Sequence, residues 1–283
     1  MSGSKKAHKI IINFCPTGMI PGKGDTPHVP VSPAEIIEQT HQAYEKGITI
    51  AHLHARDKYG KPTWKPETYR EIFEGVRKYC PGLIICGSTS GRVHTEFEKR
   101  SAVIELMPDM CSLTLSSLNF LQHASVNEPD MITRLAEKMK RYGVVPELEC
   151  FDLGMINYGR YLIRKKIIDK PFYWNLIFGN IAGMQAKISE VGIALEAIPD
   201  HHFISIGGLG KYQLKAHGMA VANGLGVRVG LEDNIWWDKK SNIHATNIRL
   251  VDRVHTLIDL MQYTFMKSEE LGNLGFYNQQ SNE

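Results

Sequence analysis

Residues 49–64 read TIAHLHARDKYGKPTW. The stretch opens as an apolar, β-branched run suited to a strand and closes on two histidines spaced two apart, then an arginine and an aspartate. In an extended segment residues i and i+2 project from one face, so His52 and His54 point the same way at the end of the strand. Two imidazoles are too few ligands for a catalytic zinc site, so a third has to come from elsewhere in the chain.

The same strand signature recurs on both sides. KIIINFC (9–15), GITIAHLH (47–54), LIICGS (83–88), MCSLTLS (110–116), VVPELEC (144–150), FYWNLIF (172–178), HFISIGG (202–208) and GVRVGLE (226–232) are all short apolar runs. Helical spacing of apolar residues fills the intervals at 32–47, 65–82, 94–108, 127–143, 155–168, 180–198, 211–224 and 244–265. The first is fully marked, with Ser32 as cap, Pro33 at the first helical position, Glu35 at capping-box spacing and Gly47 at the stop. Eight β-then-α units predict an α/β fold, a single-domain (β/α)8 TIM barrel over 1–283. An open doubly wound sheet would have fewer units and a glycine-rich first turn. The N-terminal lead (1–8) is short, and the tail (268–283) carries few core anchors, so it is expected to be mobile or to pack on a neighbouring subunit.

With 283 residues, 43% hydrophobic and 22% charged, the chain can bury a full core. A net charge of +3 gives no reason to expect nucleic-acid binding. No stretch approaches the ~20 apolar residues of a membrane span, and the N-terminus lacks a signal-peptide core, so a cytoplasmic location is expected. Cys15, Cys80, Cys86, Cys111 and Cys150 form no CxxC pair and read as reduced thiols, mostly in or beside strands.

Barrel active sites lie at the C-terminal ends of the strands. His52 and His54 end strand two, Ser88 and Thr89 end strand three, Ser117 and Asn119 follow strand four, Glu149 ends strand five, and Glu232 with Asp233 ends strand eight. Alternation puts Arg228, Gly230 and Glu232 on one face, and closure brings strand eight two positions from strand two, so Glu232 can complete a His-His-Glu metal set. Arg228, with Glu149 and Asp233 as available partners, is either a structural ion pair or the support of Asp233 as a general base. The GSTSGR turn (87–92) can hold an anion such as a carboxylate or be a plain tight turn.

Taken together, TGMIPGKGDTPHVPVSPAEI, IAHLHARDKYGKPTW, GSTSGR, SSLNF, PELECFD and NGLGVRVGLEDN, in this order, resemble the β-keto acid cleavage enzymes over nearly the whole chain. That resemblance implies a zinc-dependent barrel, a homotetramer, that condenses a β-keto acid with acetyl-CoA and releases acetoacetate and a new acyl-CoA. It implies zinc on His52, His54 and Glu232, although such a set also takes other divalent ions. By the same resemblance the β-keto acid sits on Ser88, Gly91, Ser117 and Asn119, and its α-proton goes to Asp233, assisted by Arg228 and Glu149. The founding member has a glutamate after its first strand for a substrate amine. Here Thr17-Gly18-Met19-Ile20 contains no acid, and Lys23 or His28 in that loop would favour a neutral or acidic side chain.

Two other classes compete. A metal-dependent hydrolase of the amidohydrolase type also uses His-x-His in a barrel, but its pair ends strand one and further histidines end strands five and six, where this chain has Glu149-Cys150 and Ile177-Phe178. A non-catalytic metal-dependent binding protein would leave an open metal position beside an Arg–Asp pair without use.

Overall fold

The computed structural model describes residues 9–282. Eight parallel strands close into a barrel: β1 (Ile12–Phe14), β2 (Ile50–Leu53), β3 (Ile84–Gly87), β4 (Met110–Thr114), β5 (Val145–Cys150), β6 (Tyr173–Phe178), β7 (Phe203–Gly208) and β8 (Gly226–Val229), each paired with the next and β8 with β1. All eight strands fall inside the runs read from the sequence, because apolar β-branched residues buried on both faces are what a parallel barrel requires. The principal outer helices are α1 (Pro33–Lys46), α2 (Pro66–Tyr79), α3 (Phe97–Ser101), α4 (Pro129–Arg141), α5 (Leu153–Arg164), α6 (Ile188–Glu196), α7 (Gln213–Ala222) and α8 (Asn247–Leu260). At α1 the capping box forms as its spacing predicts. Ser32 Oγ accepts from Glu35 N, the Glu35 carboxylate accepts from Ser32 N, and Gly47 closes the helix in the left-handed region.

Two helices are shorter than their periodicity predicts. Residues 94–108 give only α3 and a 3-10 turn at Ala102–Leu106, ended by Met107 at φ +50° just before Pro108. Residues 180–187 form a loop ahead of α6, held by Gln185, whose Nε2 donates to the Asn180 and Gly183 carbonyls. A small hairpin, Leu118–Asn119 paired with Ala124–Ser125, stands between β4 and α4. Among the described residues no helix is long and apolar enough to cross a membrane, and the five cysteines are buried and free.

The tail is anchored on its own barrel. Leu271 and Phe276, both fully buried, close the N-terminal mouth against Ile11, Ile50, Ile84, Met110, Val145 and Tyr173. Asn278 fixes the end by donating to the Pro108 and Tyr142 carbonyls and, through its backbone N–H, to Asp109. No periodicity marks this anchoring in the sequence, because the tail's apolar residues are few and fill a plug rather than a helix face. The N-terminal lead (1–8) lies outside the described residues.

Candidate active site

The opposite mouth is polar. His52, near the end of β2, and His54, just beyond it, face each other with their Nε2 atoms 3.1 Å apart. Glu232 reaches them from beyond β8, with Oε1 3.3 Å from His54 Nε2 and Oε2 3.9 Å from His52 Nε2. Alternation along β8 would send Asp233 to the face opposite Glu232. Instead the strand ends at Val229 and turns at Gly230, whose carbonyl accepts from Asp233 N and Asn234 N. That turn carries both acids to the mouth, and Arg228 engages each: Nη2 donates to Glu232 Oε1 at 2.6 Å and Nε to Asp233 Oδ2 at 2.9 Å. Its Nη1 lies 3.5 Å from Glu149 Oε1, and Thr114 Oγ1 donates to the other Glu149 oxygen at 2.7 Å.

Below the histidines lies a layer that the sequence reading did not single out. Glu147, fully buried, takes His52 Nδ1 at 2.6 Å and Cys86 Sγ on one oxygen, and Asn13 Nδ2 and Asn175 Nδ2 on the other. The carboxylate holds a proton on His52 Nδ1, so that Nε2 is the nitrogen that would ligate an ion, giving up its own proton to do so, as in histidines backed by an outer carboxylate. Signals for this layer existed: Glu147 shares a strand face with Glu149, and Asn13 and Asn175 are polar residues inside apolar runs.

Burial disfavours a charged imidazole at both histidines, with opposite outcomes. At His52 the Glu147 and Glu232 charges outweigh it and push the pKa up to about 9, whereas at His54 burial prevails and the pKa falls to about 4. Burial raises the Asp233 carboxyl against the pull of Arg228, and burial with the Glu147 charge raises Glu149. Arg228, despite burial, is held firmly charged, foremost by Asp233.

The donor set fits a divalent cation. One nitrogen from each histidine and a Glu232 oxygen lie within 4.8 Å of one another, and zinc takes such ligands at ~2.0–2.2 Å. Glu232 Oε2 is buried with no hydrogen-bond partner, and the three carboxylates Glu149, Glu232 and Asp233 share the direct contacts of Arg228. Both observations call for a further positive charge. A second grouping, His52 with Cys86 and Glu147, is not another centre, because hydrogen bonds already join those side chains inside the barrel.

The rest of the opening motif builds the wall. Arg56, buried, donates to the Gly18, Pro21 and Gly60 carbonyls and so ties the loop after β1 over the site. Gly18 sits at φ +66°, where a Cβ would come within 2.4 Å of Glu232 Cγ, so the loop packs on the ligand only with glycine there. Asp57 caps the neighbouring turn by accepting from Tyr59 N and Lys61 N.

A cavity of 860 Å3 opens above these groups and is lined by His52, His54, Ser88, Glu149, Arg228, Glu232 and Asp233. It does not bring in Gly91, Ser117 or Asn119. Gly91 packs against Val126 O and Arg100, leaving no room there even for a Cβ. The hairpin instead turns Leu118 and Phe120 to the cavity, and Ser117 Oγ accepts from Asn127 N at 2.7 Å. Lys23 is also spent elsewhere, on Glu35 at 2.6 Å.

A family model described as "beta-keto acid cleavage enzyme" matches residues 9–274. The chain belongs to the β-keto acid cleavage enzyme family. It is 34% identical over 253 residues to the 3-oxoadipate:acetyl-CoA acetyltransferase of Cupriavidus necator, covering 88% of each chain. It is 34% identical over 247 residues to the 3-keto-5-aminohexanoate cleavage enzyme of Fusobacterium nucleatum, covering 87% of this chain and 90% of that one. The 3-dehydrocarnitine:acetyl-CoA trimethylamine transferase of Rhizobium meliloti is 27% identical over 282 residues, covering 90% and 93%. Among solved structures, the ternary complex of ObcA with C4-CoA adduct and oxalate superposes with a TM-score of 0.75 at 21% identity, covering 88% of this chain and 67% of that one. A truncated 3-deoxy-D-arabino-heptulosonate 7-phosphate synthase from Thermotoga maritima superposes at 0.54 and 14% identity, covering 92% and 90%, a likeness of fold alone. The protein is therefore an acetyl-CoA-dependent enzyme of the β-keto acid acetyltransferase and cleavage family.

Proposed function

We propose that the mouth between β8 and β2 is a zinc-dependent centre that condenses a β-keto acid with acetyl-CoA and releases acetoacetate and a new acyl-CoA. The observation that carries this reading is the meeting of His52, His54 and Glu232 beside an Asp233 held by Arg228. His52, His54 and Glu232 would hold the ion, which when bound supplies Lewis-acid polarisation of a carbonyl.

The chain's own groups do the rest. Asp233, its carboxyl raised by burial, takes the α-proton of the β-keto acid, and Arg228 holds that carboxylate in position. The resulting enolate carbon attacks the acetyl thioester and expels the CoA thiolate. The thiolate then adds to the original keto carbon, and carbon–carbon cleavage gives the new acyl-CoA and the acetoacetate enolate, which recovers the proton from Asp233. Glu149 keeps Arg228 in register from the β5 side. Ser88 is the substrate-binding member of the expected set that lines the cavity, and Leu118 and Phe120 face it where Ser117 and Asn119 do not. Assembly as a homotetramer belongs to the same reading and is tested by light scattering.

The deciding experiment incubates metal-quantified protein with acetyl-CoA and β-keto acids whose side chains are cationic, neutral or anionic, and scores acetoacetate and new acyl-CoA by mass spectrometry. Product from one class with about one zinc per chain is the expected result. Intact metal with no product from any acid would overturn the reaction.

A further inference from the structure

The GSTSGR turn after β3 ends in an arginine that the chemistry above does not use. Arg92 lines the same cavity as His52, His54 and Asp233, next to Ser88 and Ser90 of its own turn. Its guanidinium lies 3.5 Å from the centroid of the Phe120 ring, and its Nε is buried with no hydrogen-bond partner. A partly buried guanidinium with no bonded anion is costly, and a flat aromatic support leaves its donor edge presented rather than consumed. The acids of the cavity attract it across the space but give it no hydrogen bond, because Arg228 holds the direct contacts to Glu149, Glu232 and Asp233. Among the described residues those three are the acids on the cavity wall, and each already contacts Arg228, so none is held apart for a positively charged substrate. Lys211, which lines the wall with Arg92 and Arg228, is solvent-exposed, with its ammonium over the Tyr212 ring.

We propose that Arg92 is the anion clamp of this cavity, pairing with a carboxylate of the β-keto acid, and that the site thereby takes anionic or neutral side chains and rejects cationic ones. The proposal rests on the β-keto acid reading of the cavity and specifies its substrate class. A fork of parallel N–H donors on one side of the cavity suits a planar carboxylate, with the Ser88 and Ser90 hydroxyls beside it. That carboxylate is either the one adjacent to the reacting carbon or a second one at the far end of a β-keto diacid.

The test measures kcat and KM for wild type, Arg92→Gln and Arg92→Lys with a neutral-chain β-keto acid, a six-carbon β-keto diacid and an ammonium-bearing β-keto acid, together with KM for acetyl-CoA. Arg92→Gln is expected to raise KM for the acid roughly 10- to 100-fold, with zinc content and KM for acetyl-CoA unchanged. Arg92→Lys should recover part of the loss, since it restores charge without the fork. An equal loss on the neutral-chain acid and the diacid assigns the carboxylate beside the reacting carbon; a loss confined to the diacid assigns the distal one. The clamp is overturned if KM for every acid is unchanged in Arg92→Gln, if only KM for acetyl-CoA moves, or if wild type prefers the ammonium-bearing acid. Should wild type cleave none of the acids, the reaction fails, and calorimetric binding of the same acids to wild type and Arg92→Gln decides the clamp separately.

Discussion

At the N-terminal end of the barrel, Ile11, Ile50, Ile84, Met110 and Val145 meet Leu271 and Phe276 of the chain's own tail, and the mouth is shut with apolar surface. At the C-terminal end, three carboxylates converge on Arg228, two imidazoles face one another, and an 860 Å3 cavity lies open above them. One end lowers free energy by filling space. The other holds charges that are only partly neutralised by one another, an arrangement that persists because the first end and the outer helices supply the stability. Between the two lies the Glu147 layer, buried like the plug and polar like the mouth, with both Glu147 oxygens hydrogen-bonded and one of them on His52.

Single substitutions can test whether the two ends are independent. Asp233→Asn is expected to lower kcat by ~10²- to 10⁴-fold with metal content, measured by elemental analysis, and the circular dichroism spectrum unchanged. Phe276→Ala is the converse. Chemical denaturation should show a loss of ~3–5 kcal/mol, while turnover of the folded protein per bound metal stays at the wild-type value. If Phe276→Ala abolishes activity in protein shown to be folded, the ends are coupled and the division fails.

Glu147→Gln probes the layer between. Removing the charge behind His52 while keeping its shape should weaken metal binding by ~10- to 100-fold, read in a chelator competition, with a smaller change in turnover once metal is saturating. Unchanged metal affinity would make Glu147 a packing element of the core.

The smallest effect lies outside both ends, at the α1 capping box. Ser32→Ala should cost ~1 kcal/mol of stability and no activity. Burial opposes ionisation of Glu35, but Lys23 and the Ser32 and Val31 N–H groups bring its pKa down to about 2. A depressed carboxyl stabilises the fold above its unfolded pKa, near 4.5, and that contribution is lost as pH falls toward 2. Glu35→Gln should therefore flatten the acid limb of a stability–pH curve, and an unchanged limb would contradict the assignment.

The sequence carried the barrel because each strand had to be apolar on both faces and each helix carried a 3.6-residue stripe, signals that survive without knowledge of contacts. It also carried His52, His54 and Glu232, since period-2 spacing pairs the histidines and the order of strands brings the end of β8 to them, although a turn at Gly230 rather than alternation delivers Glu232. The plug was hidden because Leu271 and Phe276 act singly, without a period. The hairpin at 118–125 was hidden for a related reason: with no structure to fix which residues turn inward, Ser117 and Asn119 looked like wall, whereas Leu118 and Phe120 are. Asp233 reached the site through the turn at Gly230, a break in the alternation used to place its neighbour.

The central claim is that Asp233 is the base of the polar mouth and that its role is separable from metal binding. The most direct test is proton NMR of the α-position of a β-keto acid in deuterated buffer, without acetyl-CoA, using samples of equal zinc content. Wild type should wash out the α-protons well above the uncatalysed rate, and Asp233→Asn should fall to that background. Washout by Asp233→Asn at the wild-type rate would contradict the account.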